Sequence, residues 1–178
     1  SFSKYNSTIN YSMDVTFYDR MKSGDYDKPE EKKLWEKWLD FKGKRIFLTP
    51  MNIKKFGEEV YLVRREIRPT LNREDLDNGI WGGSHSGMGA INLAIALGSQ
   101  EIYLLGYDFV VKESTHWHSG YEKGRDVVQF GLKLKKYREE IERMAPQIKE
   151  TGVVIYNANP NSELKCFPFV DIKKVLNV

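Results

Sequence analysis

Cysteine is almost missing from this chain. Cys166 is the one cysteine among 178 residues, so no internal disulfide can form, and a reducing compartment such as the cytoplasm is expected. Long apolar runs are missing too. None approaches the roughly 18–20 residues that a membrane-spanning helix needs. An excess of one charge is also lacking. Lys and Arg number 28 against 25 Asp and Glu, a net charge of +3, which is too small and too dispersed to point to nucleic acid. No secretory leader, internal repeat or low-complexity tract is visible. The first residue is Ser1 rather than Met, so a fragment of a longer protein is one expectation.

What is present suits a soluble globular protein. The composition is 40% hydrophobic and 30% charged, and the length fits one domain over residues 1–178 with a sizeable core. Alternation over 9–15 reads as a strand, and a helical turn follows at "TFYDRM". In "GDYDKPEEKKLWEKWLDF", Asp27 stands as an N-cap and Pro29 near the helix start, with Leu34, Trp35, Trp38 and Leu39 on one face. "KRIFLTP" reads as a buried strand and "EEVYLVRRE" as a second one. Residues 69–83, rich in Asn, Asp and Gly, read as a long loop. Helix 87–97 is capped by Ser84 or Ser86 and ended by Gly98, and "EIYLLG" is the next strand. In helix 126–150, Val127, Phe130, Leu134, Tyr137, Ile141, Met144 and Ile148 recur at steps of three and four and form one apolar stripe. "GVVIYNANP" is a last strand and "DIKKVLNV" a short terminal helix. Strands alternating with helices predict an α/β fold, a mostly parallel sheet with helices on both sides. In such sheets ligands bind beyond the carboxyl ends of the strands.

The stretch "GGSHSGMGAINLAIALGSQEIYLLGYDF" at 82–109 carries the first chemical signal. A helix start leaves about four backbone N–H groups unpaired and bears a partial positive charge. Gly82, Gly83, Gly87 and Gly89 leave the backbone open to a phosphate, and Ser84 and Ser86 add hydroxyl donors. Asn92 stands where a dinucleotide fingerprint would place its third glycine, and no Gly-Lys-Ser/Thr of a Walker A loop follows. A plain glycine-rich turn before a helix fits as well. Asp108, just past a strand end, suits a ribose hydroxyl, a metal or a turn backbone.

Three histidines lie close together in the predicted topology: His85 before the helix, and His116 and His118 after the following strand. In an extended segment His116 and His118 share one face, with Trp117 on the other. Three neutral imidazoles suit zinc or a general base near neutral pH, and the base is favoured. Asn157, Asn159, Asn161 and Ser162 suit sugar hydroxyls or a base, or else a tight turn. Arg64, Arg65 and Arg68 suit a phosphate or a carboxylate, or else a solvated face.

"SGMGAINLAIALGSQEIYLLGYDF" resembles the motif shared by the bacterial sialyltransferases of glycosyltransferase family 42 and the wider DUF115 group, which includes archaeal 6-hydroxymethylpterin pyrophosphokinases. The close likeness covers about residues 84–109. "HWHSGYE" and "GVVIYNANPNSELKCFP" are similar to phage and bacterial proteins with the same core. The resemblance implies a Rossmann-like three-layer sandwich, a CMP-sugar donor and a histidine base after the Asp-Phe strand, with no metal essential. Ser86 and Gly87 would meet the donor nucleotide, Asp108 and Phe109 would end the strand beside it, and His116 or His118 would deprotonate the acceptor hydroxyl. The chain departs from the family in three places. It lacks the opening strand and donor loop, so the first strand is expected to be absent or cut away. It has Thr49-Pro50 for Asn-Pro, and Val110 for the tyrosine after Asp-Phe.

The expectation is therefore a glycosyltransferase-like enzyme acting on a nucleotide-sugar and a glycan or small-molecule acceptor. Its catalytic residues are His118, His116 and Asp108; its substrate-binding residues are Ser84, Ser86, Gly87, Asn92, Phe109 and Asn157; no metal, nucleic-acid or membrane site is expected. Two alternatives stand beside it. One is a pyrophosphokinase using ATP and magnesium, with carboxylates such as Asp14 and Asp108 near the ion. The other is a non-catalytic module that resembles a nucleotide-binding domain.

Overall fold

The structure, a computed structural model, describes residues 8–26, 29–49, 60–66, 68–71, 76, 79–111 and 126–177. The elements in chain order are β1 (Ile9–Ser12), α1 (Val15–Ser23), α2 (Pro29–Leu39), β2 (Lys44–Thr49), β3 (Val60–Glu66), β4 (Ile80–Trp81), α3 (Ser86–Ala96), β5 (Glu101–Leu104), α4 (Val127–Glu150), β6 (Val154–Asn157) and α5 (Ile172–Leu176). The fold is α/β, and every pairing among these strands is parallel. The strands do not form one continuous ladder as expected. They pair as a four-stranded sheet in the order β1-β2-β3-β4 and as a two-stranded sheet of β5 and β6. Among the described residues no strand pairing joins the two sheets.

β2 shows why the sheet needs cover on two sides. Its apolar residues do not alternate with polar ones, and Ile46, Phe47 and Leu48 are all buried. Successive side chains leave a strand on opposite faces. Ile46 and Leu48 pack with Leu93 and Ala96 of α3, while Phe47 packs with Tyr18 of α1 and Trp38 of α2. Helices therefore cover both faces of β2. Arg45, next in the strand, is 5% exposed and donates to the carbonyls of Trp38 at 3.1 Å, Leu39 at 2.6 Å and Phe41 at 2.9 Å. A buried guanidinium thus donates to three carbonyls at and just beyond the end of α2 and meets its negative dipole end. The predicted cap at Asp27 lies outside the described residues.

α3 is buried on nearly every side, which matches its apolar sequence. Met88, Ile91 and Ile95 join Leu104, Ile141, Met144, Ile148 and Ile155, and Leu93 and Ala96 face the four-stranded sheet. Gly98 follows its C-cap with φ +82° and donates to the Ile95 carbonyl, as the predicted stop requires. The α4 stripe is buried in its C-terminal half, where Ile141, Met144 and Ile148 lie in the core, while Val127 at the other end is 42% exposed. Asp126 caps α4 by accepting from the backbone of Val128 and Gln129.

β1 touches α3 at Gly89. A Cβ there would lie 2.0 Å from the Tyr11 hydroxyl and 3.1 Å from the Gly82 carbonyl, and that hydroxyl is buried with no hydrogen-bond partner. Gly89→Ala is expected to destabilise the fold by about 1–3 kcal/mol through overpacking, despite the roughly 1 kcal/mol that alanine ordinarily adds in a helix interior. Tyr11→Phe in the same chain should recover most of the loss, and alone should be neutral or stabilising because it removes an unpaired buried hydroxyl. Urea unfolding midpoints check all three; an unchanged midpoint for Gly89→Ala would mean that β1 does not rest on α3.

Candidate functional site

The segments that follow β4, β5 and β6 meet at the start of α3. Gly83 turns the chain out of β4 with φ +65°, and its carbonyl accepts from the Arg65 guanidinium of β3 at 2.5 Å. A Cβ at Gly83 would strike the Met88 side chain at 2.7 Å and Glu140 Oε2 at 2.9 Å, so glycine is needed for the angle and for the close approach of α4. Glu140 reaches across from α4, 7% exposed. Its carboxylate accepts from the Ser84 amide at 2.9 and 3.1 Å and from the Ser84 hydroxyl at 2.8 Å.

This bond set corrects the expected cap. Neither Ser84 nor Ser86 caps α3; the N-cap is His85, with φ −151° and ψ 157°, and its side chain makes no capping bond. Ser84 is drawn to Glu140 instead, and a carboxylate beside a helix start is electrostatically favoured there. Among the described residues no side chain accepts from the first-turn amides of α3, and Ser86 is exposed at the tip.

His85 lies against this tip. Its side chain is 10% exposed, and Nε2 is 3.7 Å from Glu140 Oε2, beyond hydrogen-bond reach, and has no hydrogen-bond partner. The ring stacks on Tyr137 at 4.5 Å and 25° and meets the edge of Phe109 at 6.1 Å. Burial pushes its pKa down from the usual value, opposed by the Glu140 charge and by the Tyr137 backbone, so the imidazole is neutral at pH 7. Tyr107, just past β5, donates its hydroxyl to the Gly87 carbonyl at 2.9 Å, and burial pushes that phenol up to about 12.

The loop after β6 is tied to the same rim. Ser162 Oγ donates to the Tyr107 carbonyl at 2.5 Å, the Asn159 amide donates to the Asp108 carboxylate, and the Glu163 amide donates to the Asp108 carbonyl. Phe109 adopts φ +53°, an uncommon backbone for a bulky residue that turns the chain after Asp108.

The residues expected to form the site separate into two groups. Ser84, Ser86 and Gly87 lie at the α3 start, Phe109 meets it through the His85 ring, and the Asp108 side chain is held by Asn159 of the loop after β6. Asn92 and Asn157 do not open to the rim. Asn92 is fully buried and donates to the carbonyls of Thr70 and Trp81. Asn157 is 3% exposed, donates to the Leu164 carbonyl and accepts from the Asn159 amide. Asn161 N in turn donates to Asn159 Oδ1, so the amide-rich segment is a turn holding its own backbone. His116 and His118 lie outside the described residues; the segment leading to them leaves the rim at Phe109. Arg68 is exposed and Arg65 is bound at the turn, while the Arg64 side chain lies outside what the structure describes. Asp14 lies between β1 and α1, and its carbonyl accepts from the Tyr18 amide. No group of three or more potential metal ligands occurs among the described residues.

Glu140, Tyr137 and Tyr107 were not anticipated from the sequence. The available signal was spacing: Glu140 follows Tyr137 by three and precedes Ile141, so it flanks the buried stripe rather than the solvated face. Comparison with protein-family models, curated proteins and solved structures gives no match.

Removing the carboxylate should loosen the turn. Glu140→Ala is expected to cost about 1–3 kcal/mol, because the Ser84 amide and hydroxyl lose their acceptor. Glu140→Gln, which keeps one acceptor oxygen, should lose less. Denaturant unfolding with hydrogen exchange of the Ser84 amide checks this; equal exchange in wild type and Glu140→Ala would show that the clamp does not hold the turn.

Proposed function

We propose that this chain is a glycosyltransferase-like enzyme of Rossmann-like, three-layer form that takes a sugar from a nucleotide donor. The observation that supports it is the side-chain-uncapped start of α3, placed where the segments after three parallel strands converge. In this reading the donor phosphate binds the first-turn amides at Ser86 and Gly87, where the helix dipole favours an anion. Asp108 and Phe109 flank the nucleoside. The acceptor oxygen bonds to the anomeric carbon while the bond from that carbon to the phosphate oxygen breaks. The nucleotide leaves with the electron pair, and the acceptor proton passes to His118 or His116. Asn92 and Asn157 belong to the framework, and Ser84 acts through Glu140.

The three-layer reading also accounts for the split ladder. Tyr11 of β1 reaches Gly89, and Tyr107 after β5 reaches Gly87, so both sheets converge on the N-terminal half of α3. One further parallel strand between β1 and β5 would make them a single sheet. A second reading, a non-catalytic module, is favoured by one observation: the Glu140 carboxylate already occupies the Ser84 amide.

Titration calorimetry with CMP, UDP, GDP and ATP separates the two. Binding of CMP is expected, and it should persist in chelator. His116→Ala and His118→Ala, made singly, should leave binding and folding intact while one of them lowers transfer by 100-fold or more, the usual range for loss of a general base. Silence toward every nucleotide would favour the non-catalytic module, a magnesium requirement with AMP release would favour the pyrophosphokinase, and full activity in both variants would remove the loop histidines from the chemistry.

A further inference from the structure

We propose that His85 couples anion binding at the α3 start to uptake of one proton, so that an imidazolium held by Glu140 faces the bound phosphate. The inference rests on the reading that a phosphate group binds there, and adds a residue that the loop-histidine mechanism does not use. Three geometric observations carry it. The side chain is nine-tenths buried and Nε2 has no hydrogen-bond partner. The nearest acceptor, Glu140 Oε2, stands at 3.7 Å, within ion-pair reach and already oriented by Ser84. The imidazole also lies along the first helical turn, because a Cβ on Gly87 would come within 2.9 Å of Nδ1.

A proton taken from solvent by this ring gives it a positive charge between the carboxylate and the incoming anion. Among the described residues, the charged or titratable groups facing the ring are Glu140 and Tyr137 of α4 and Tyr107 after β5; Arg65 of β3 lies one residue further, on the Gly83 carbonyl. Without ligand, burial outweighs Glu140 and keeps the ring neutral at pH 7. A bound anion adds a second negative charge and raises the pKa. Affinity therefore increases as pH falls from the bound-state pKa toward the free-state pKa, by up to tenfold per pH unit for one proton, and levels off below it.

The test is calorimetry near pH 7 in buffers of differing ionisation enthalpy. The probe is the methyl diester of cytidine monophosphate, whose single phosphate charge does not titrate. Sulfate, equally non-titrating, is the second probe. Wild type should take up about one proton per bound diester, and His85→Gln should bind more weakly with no uptake. The His85 ring nitrogen NMR shifts should report a neutral imidazole before the diester is added and an imidazolium after. Binding of the diester without proton uptake, or undiminished uptake in His85→Gln, overturns the inference while leaving the nucleotide reading intact. Sulfate binding with uptake but no diester binding sustains the inference and overturns the nucleotide reading. Failure of both probes to bind overturns both.

Discussion

The Glu140 carboxylate fastened to Ser84 is the contact on which the candidate site depends. It joins residues 56 apart in sequence by three hydrogen bonds to one residue, and it is buried. A desolvated carboxylate is costly unless its lone pairs are satisfied, and the turn before α3 supplies both a backbone and a hydroxyl donor. The exchange fixes the turn from the α4 side, while Arg65 fixes it from the β3 side through the Gly83 carbonyl. Between these two holds the chain has little freedom, and the direction in which α3 sets out is decided there. The same contact leaves α3 without an ordinary serine cap, because the serine that would have served is already engaged. The order of these causes matters: a remote helix has claimed Ser84, and among the described residues no other side chain caps the first turn.

Packing behind the rim makes that arrangement stiff. α3 contributes to two core clusters at once, so it cannot shift toward one without opening the other. β2 does the same on its own two faces, with Arg45 binding the end of α2 to the sheet. The small residues at 82, 83, 87 and 89 are therefore steric requirements as much as turn formers. Each would collide with a named neighbour if it carried a Cβ, whether Met13 and Arg65 at Gly82, Met88 and Glu140 at Gly83, His85 and Tyr107 at Gly87, or Tyr11 at Gly89. Glycines that read in the sequence as clearance for a ligand are also clearance for the protein's own side chains.

The division between what the sequence revealed and what it hid follows the range of the interactions. The stripe at Ile141, Met144 and Ile148 and the stop at Gly98 are set by residues within a few positions, and both were legible. The α3 cap was not, because Ser84 is captured by a partner on another helix, a tertiary contact that overrides local preference. The separation of β5 and β6 from the four-stranded ladder was hidden for a similar reason: apolar runs show that strands are buried but not which strands are neighbours. Glu140 was passed over because a glutamate within a charged helix ordinarily faces water. Asn92 and Asn157 look like ligand donors in one dimension and are backbone supports in three. Tyr107 and Phe109, which touch Gly87 and His85, follow the simple rule that consecutive crossovers in a parallel sheet open on one edge.

Charge at the rim sets a limit on what this place can bind. Glu140 and Asp108 are both acidic, and Arg65, whose guanidinium is committed to the Gly83 carbonyl, is the basic side chain held at the turn. A helix start contributes the equivalent of about half a positive charge. Unit charges 4 Å apart interact by about 4 kcal/mol at an effective dielectric of about 20, so a phosphate placed beside a buried carboxylate would meet repulsion of that order. The Asp108 carboxylate is answered by the Asn159 amide and by exposure to water, whereas Glu140 is buried and, among the described residues, has no full cation against it in the neutral state of His85. On the proposed reading, a group that gains positive charge as the anion arrives relieves this repulsion, and the imidazole beside Glu140 is a described side chain able to do so near neutral pH. The free protein would then hold a neutral ring, and the bound state would alternate anion, imidazolium and carboxylate.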